Sequence, residues 1–122
     1  MISHLVRASV LAVICATSAP TAATARTPYD GAWTVLIVTE SGGCDRAYRY
    51  GVQIVDGIVR YDGGAVNFSG RVAKNGTVQV TVAGGGGLAN GTGRLSRNAG
   101  QGRWSGRAPS GDCAGYWEAE RR

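Results

Sequence analysis

From residue 31 onward the chain alternates between apolar and polar side chains with a period of two, which is typical of half-buried β-strands. In residues 77–82, for example, the valines fall on one face and the Thr and Gln side chains on the other. Asp56-Gly57 and Asn75-Gly76 are strong hairpin signals, and the glycines at 84–87 predict a flexible hairpin loop. The pattern predicts eight strands, at residues 32–39, 46–55, 58–61, 65–73, 77–82, 88–96, 102–107 and 113–121.

Eight short strands joined by tight turns favour an all-β, antiparallel up-and-down meander. A flat sheet of this size would leave two edge strands and one bare apolar face, and closure into a barrel removes the edges. The interior of an eight-stranded barrel is either filled by side chains or holds one small ligand. The side chains expected to point inward are Trp33, Val35, Ile37, Tyr48, Tyr50, Val52, Ile54, Phe68, Val78, Val80, Val82, Leu95, Trp104 and Trp117.

Many glycines lie inside the predicted strands instead of in turns. Glycine weakens a strand unless it permits a bend or a close approach of neighbouring groups. We therefore expect these glycines to accommodate the bulky aromatic side chains across a small barrel: Gly51, Gly70, Gly91, Gly93, Gly106 and Gly115.

The first 25 residues have the pattern of a secretion signal. Arg7 supplies a positive charge, residues 10–16 form a short apolar core, and Ala23-Thr24-Ala25 fits a signal peptidase site. The apolar run is much shorter than the roughly 20 residues of a membrane-spanning helix, and no later segment is long enough. The sequence thus predicts a signal peptide at 1–25 and a barrel domain at 26–122, in the periplasm or outside the cell.

Removal of this signal would remove His4 and Met1, the only histidine and methionine of the chain. A mature chain without these residues excludes a Ser-His-Asp triad, a Cys-His pair, a haem held by His or Met and a zinc site based on histidine. We accordingly expect binding instead of catalysis, with no cofactor and no metal.

Two cysteines, Cys44 and Cys113, remain after the signal, and an even number in an exported chain indicates a disulfide. Its loop of about 70 residues corresponds to roughly 4 kcal/mol in the chain-entropy model. In a meander barrel both cysteines fall at the same rim, where strand one ends and strands two and eight begin. The bridge must pass beyond the end of strand one, and Ser41-Gly42-Gly43 gives the chain the freedom to do so.

Gly31-Ala32-Trp33 at the start of strand one resembles the Gly-x-Trp opening of lipocalin-like (calycin) barrels. The resemblance implies a calycin-like barrel in which an arginine of the last strand packs across the tryptophan. The corresponding arginine in this chain is Arg121, which lies on the same face of the last predicted strand as Trp117.

Length, strand number and a single disulfide also resemble the small periplasmic inhibitors of bacterial metalloproteases, which act through an N-terminal strand; the corresponding segment is 26–30. The whole pattern is similar to a group of short exported bacterial proteins of unknown function. The pieces that carry this likeness are Tyr29-Asp30-Gly31-x-Trp33, residues 44–50, residues 93–96, Gly102-x-Trp104-x-Gly106 and Cys113-x-Gly115-x-Trp117-x-Ala119.

The strongest candidate site is the run 45–50. In one reading Arg46, Tyr48 and Tyr50 line the barrel mouth and offer a guanidinium and aromatic faces to an anionic or glycan ligand. In the other, which we favour, both tyrosines are core residues, Arg46 pairs with an acid and Arg49 is a solvated outer charge.

The formal net charge of +5 and the dominance of arginine suit a partner with phosphate, carboxylate or sulfate groups. The arginines are scattered along the chain, however, so the sequence shows no contiguous patch, and nucleic acid is a poor match for an exported chain. The hypothesis is a monomeric, exported binding module for a small or anionic ligand. The alternative is an inhibitor of an exported hydrolase. A cavity of at least about 300 Å³ would favour the first, and a barrel plugged by its tryptophans the second.

Overall fold

The computed structural model describes residues 26–61 and 63–122, and the predicted signal peptide lies outside these residues. All regular structure in the described part of the chain is β-strand, which confirms the predicted all-β class. None of these residues forms a helix of the length and apolarity needed to cross a bilayer. The strands are β1 (Gly31–Ser41), β2 (Ala47–Val55), β3 (Ile58–Arg60), β4 (Asn67–Val72), β5 (Thr77–Gly84), β6 (Gly87–Leu95), β7 (Ala99–Ala108) and β8 (Gly111–Arg121).

Every strand pairs antiparallel with its neighbours in sequence, and β8 pairs with β1, so the sheet closes into the predicted barrel. The long β1–β8 seam runs from Trp33 opposite Arg121 to Ser41 opposite Ala114. A register shift between Thr39 and Ser41 marks a bulge near its end. The described residues leave no edge strand, because β1 and β8 pair with one another.

The hairpin turns follow local backbone chemistry. Asp56 and Gly57 both have positive φ, 53° and 78°, as the predicted type I′ turn requires. The glycine run at 84–87 forms a tight connection instead of a flexible loop. Gly84 pairs with Gly87, and only Gly85 and Gly86, both with positive φ, lie between the strands.

One end of the barrel, the closed rim, carries the segment 27–30, the turns at 56–57, 73–76 and 96–98, and the C-terminus. The core lies towards this end, and Tyr29 packs against it. The buried core residues are Trp33, Val52, Ile54, Val59, Val72, Val78, Leu95, Trp117 and Ala119.

The other end, the open rim, carries the loop 42–46, residues 61 and 63–66, and the turns at 85–86 and 109–110. The predicted disulfide is present there and joins Cys44 to Cys113, with 6.1 Å between their Cα atoms. Gly42 lets the chain cross from β1 to this position. It has a φ of 95°, and a Cβ at Gly42 would fall 2.8 Å from the Cα atom of Cys113.

Candidate functional site

A cavity of about 400 Å³ occupies the barrel above the core and reaches the open rim. Its floor includes Trp33 and Trp117, and its mouth includes Cys44, Arg107 and Ser110. Every residue predicted to point inward lines this cavity, so the strand parity read from the sequence is correct. The middle wall is aliphatic and aromatic, and consists chiefly of Val35, Ile37, Phe68, Val80, Val82 and Trp104.

The three tryptophans shape the cavity without filling it. Each indole N–H donates to a backbone carbonyl: Trp33 to Tyr29 at 2.8 Å, Trp104 to Val38 at 3.0 Å and Trp117 to Thr92 at 3.2 Å. Because these donors are satisfied within the fold, the rings present apolar faces to the interior.

Trp117 lies flat against the wall formed by β6 and β7, where glycines make room for it. A Cβ at Gly93 or Gly102 would fall 2.5 Å or 2.6 Å from the Trp117 ring. Gly91, two residues before Gly93 on β6, leaves 3.6 Å to the nearest atom of the same indole. Gly93 therefore has the predicted role, whereas Gly51 does not: its missing Cβ faces outward, against the guanidinium of Arg122.

Asp45, Tyr48 and Tyr50 form one polar part of the mouth, and Arg107, which pairs with Asp112 at 3.2 Å, also lines it. The hydroxyl of Tyr48 donates to Oδ2 of Asp45 at 2.5 Å, and the rings of Tyr48 and Tyr50 stack with centroids 5.8 Å apart. The hydrogen bond to Asp45, helped by burial, raises the pKa of Tyr48 above its usual value. Burial, with smaller contributions from Tyr61 and Asp45, raises the pKa of Tyr50. Both phenols are consequently neutral and able to donate at ordinary pH.

Tyr50 also belongs to an aromatic cluster with Tyr61 and Phe68. Its ring meets Tyr61 edge-on at 5.3 Å and Phe68 at 5.2 Å, and Tyr61 and Phe68 are 4.9 Å apart. Contacts of this kind hold the rings in place beyond the effect of their burial. The cluster therefore holds the Tyr50 ring in place at the mouth without a ligand.

The structure brings together two of the three predicted binding residues. Tyr48 and Tyr50 line the cavity, whereas Arg46 is exposed and is not part of its lining. Arg46 precedes the first residue of β2, and its carbonyl accepts a hydrogen bond from the Thr39 amide at 2.9 Å. Arg49 is exposed on the outer face, as expected. The charged group beside the tyrosines is thus the carboxylate of Asp45.

Thr39 was not among the predicted residues, although it has the parity of Val35 and Ile37. It is 5% exposed, lines the cavity and donates its hydroxyl to the carbonyl of Asp45 at 2.6 Å. This bond holds the loop that carries Asp45 against the end of β1. The alternating pattern of β1 was the only sequence signal that Thr39 points inward. We missed it because inward positions were expected to be apolar.

At the closed rim Arg121 lies over the ring of Trp33, with its guanidinium carbon 4.8 Å from the ring centroid. The same guanidinium donates to three backbone carbonyls, those of Pro28 at 2.6 Å, Asp30 at 2.8 Å and Arg97 at 2.9 Å. One side chain therefore ties the N-terminal segment, the 96–98 turn and the last strand together.

Asp30 holds the same rim from the other side. Its carboxylate accepts the Thr27 hydroxyl at 2.6 Å and the backbone N–H groups of Asp56 and Gly57 at 2.7 Å and 3.0 Å. Burial acts to raise the pKa of Asp30, but these hydrogen bonds outweigh it, so the pKa lies below its usual value.

Comparison with known proteins gives no match for this chain among family models, curated proteins or solved structures.

Proposed function

We propose that this protein is an exported binding protein that holds a small, largely apolar molecule inside its barrel. The cavity of about 400 Å³ carries the proposal. It falls within the range of about 300–1,000 Å³ typical of small-molecule pockets, and it combines apolar walls with a few polar groups. The disulfide is consistent with an oxidising, exported location.

The arrangement of the mouth favours a ligand with an apolar body and a hydrogen-bonding end. The body would lie against Val35, Ile37 and Val82. The polar end would meet the Tyr50 hydroxyl and the Asp45 carboxylate, of which Oδ2 is already occupied by Tyr48. A carboxylate at this position repels an anion and accepts from a donor. We therefore propose a ligand whose polar end is a neutral or cationic donor, in place of the anionic ligand expected from Arg46.

The inhibitor alternative has less support. From Thr27 to Asp30 the N-terminal segment is bound to the closed rim by Arg121 and by hydrogen bonds to the 56–57 turn. To enter a protease cleft it would have to leave these partners. The interior cavity, by comparison, is already formed.

The test is a fluorescence titration with N-phenyl-1-naphthylamine, a neutral apolar dye that carries one N–H donor. Val82→Trp places a large ring in the cavity, whereas Val55→Trp adds the same ring outside the cavity lining, where Val55 is 41% exposed. We expect the dye to bind the wild type and Val55→Trp, and binding to Val82→Trp to fall at least tenfold. Equal binding to all three would show that the dye does not enter the barrel and would refute the proposal.

A further inference from the structure

A second concave surface lies on the outside of the barrel, on the opposite side of the wall from the cavity. It spans β3 to β6 and encloses about 820 Å³. Two rows of outward side chains cross it. The pairing places Arg71 beside Gln79 and Gln79 beside Thr92 in one row, and Ser69 beside Thr81 and Thr81 beside Asn90 in the other. We call these residues, together with Arg60 of β3, the outer groove.

The charge of the chain is segregated around this groove. Residues 58–111, which include β3 to β7, contain seven cationic side chains and one acidic residue, Asp62. On β7 two of these cations are offset, because Arg103 pairs with Glu40 at 2.7 Å and Arg107 with Asp112 at 3.2 Å. The arginines of the groove are not in either of these ion pairs, and both are exposed. The groove therefore favours an anionic partner.

The uncharged side chains narrow the chemistry of that partner. Ser, Thr, Asn and Gln offer both hydrogen-bond donors and acceptors, as do the hydroxyl groups of a sugar. Thr81 donates to Oδ1 of Asn90 at 2.8 Å, and this bond turns the NH₂ group of Asn90 outward as a donor. Arginine pairs with a carboxylate through two parallel hydrogen bonds. Alternating hydroxyls and carboxylates are the pattern of a polymer of uronic acids.

Single-stranded nucleic acids and proteins fit the outer groove less well than an acidic polysaccharide. Proteins that bind single-stranded nucleic acid present aromatic rings to the bases, but the rings nearest the groove, Tyr61 and Phe68, pack on each other and on Tyr50. Protein interfaces are built around large apolar or aromatic anchors, and among the outward side chains here only Ile58 is apolar.

We propose that the outer groove binds an acidic polysaccharide of the uronic acid class, with Arg60 and Arg71 holding its carboxylates. This site is independent of the cavity. The groove would attach the protein to a carboxylated matrix, while the open rim stays accessible at the end of the barrel.

The experiment measures binding of the full chain to alginate, a linear polymer of uronic acids, by isothermal titration calorimetry. Neutral dextran and oligo-dT are the comparison polymers. The test variant is Arg60→Gln/Arg71→Gln, and the matched control, Arg49→Gln/Arg97→Gln, removes the same charge from exposed positions outside the groove. Far-UV circular dichroism and thermal unfolding report that each variant is folded.

We expect alginate to bind the wild type more tightly than oligo-dT and dextran not to bind. The groove variant should lose at least about tenfold in alginate affinity, since two charge-assisted hydrogen-bonded contacts are removed, and the control less than about twofold. Absence of alginate binding, or equal losses in both variants, would overturn the proposal. Tighter binding of oligo-dT through the same two arginines would also overturn it, in favour of a nucleic acid.

Discussion

The closed rim and the open rim of the barrel are held together by different interactions. At the closed rim, Arg121 and Asp30 hydrogen-bond to backbone groups of three turns or termini, and Trp33 beneath them is 1% exposed. At the open rim a single disulfide joins the loop after β1 to β8, and Tyr48 is 42% exposed. Dense packing and polar contacts thus stabilise one end and leave the other free to receive a ligand.

The largest expected effect comes from Trp33→Ala. It removes the most buried large side chain and the surface on which Arg121 lies, and should lower the free energy of unfolding by about 3–5 kcal/mol. Tyr48→Ala at the open rim is the comparison, and should cost less than about 1 kcal/mol because its ring is half-exposed. Urea denaturation measures both. Similar losses at the two rims would contradict the division of roles.

Removal of the disulfide should have the next largest effect. Cys44→Ser/Cys113→Ser opens a loop between residues separated by 69 positions, and the expected loss is about 2–4 kcal/mol. Hydrogen exchange should quicken at 39–47 and 111–115 beyond the change expected from global stability, while amides of the closed rim keep their relative protection. Uniform loss of protection would show that the bridge stabilises both ends equally.

A smaller loss of stability is expected between the two rims, where the glycines of β6 and β7 contact Trp117. Gly102→Ala places a methyl group against the backbone carbonyl of Thr92 and the Trp117 ring that donates to it, and should cost about 1–3 kcal/mol with a change in tryptophan fluorescence. Gly91→Ala is the matched control, because its Cβ would lie 3.6 Å from the same ring, an ordinary contact distance. If both variants have the stability of the wild type, Trp117 does not lie in the glycine slot.

Asp30→Asn should have the smallest effect on stability and a distinct dependence on pH. The lowered pKa means that the folded state favours the ionised carboxylate, so its contribution is complete above the usual value of 3.8 and is lost as pH falls through the lower, folded-state value. The variant should be about 1 kcal/mol less stable at neutral pH. This difference should shrink towards zero as the pH falls through the lowered, folded-state value. Thermal unfolding between pH 2.5 and 7 measures it, and a constant difference would exclude ionisation of Asp30 as the cause.

The alternation of side chains was sufficient to predict the barrel, its inward face and the shared rim of the two cysteines. It failed at glycine-rich ends of strands. β5 continues to Gly84, and β7 begins at Ala99, three residues before the predicted start, because glycine contributes no apolar or polar signal to an alternating pattern. In the closed sheet these glycine-rich segments pair with neighbouring strands through their backbones. The alternation of side chains contains no information about such pairing.

The candidate site was only half predictable for a related reason. Tyr48 and Tyr50 follow strand parity and line the cavity, but Arg46 has the same parity and does not, since β2 begins one residue later. The Thr39 hydrogen bonds to the carbonyls of Asp45 and Arg46 set the course of the loop, and they join residues of different segments. Contacts of that kind decide which charge reaches the mouth.

The most direct test of an open, ligand-accepting interior is an NMR measurement of intermolecular NOEs between the neutral dye and the methyl groups of the labelled protein. The account predicts contacts to Val35, Ile37 and Val82, which line the cavity. Contacts restricted to Val55 and Ile58, which are exposed large apolar side chains outside the cavity lining, would contradict it. So would the absence of any contact at saturating dye.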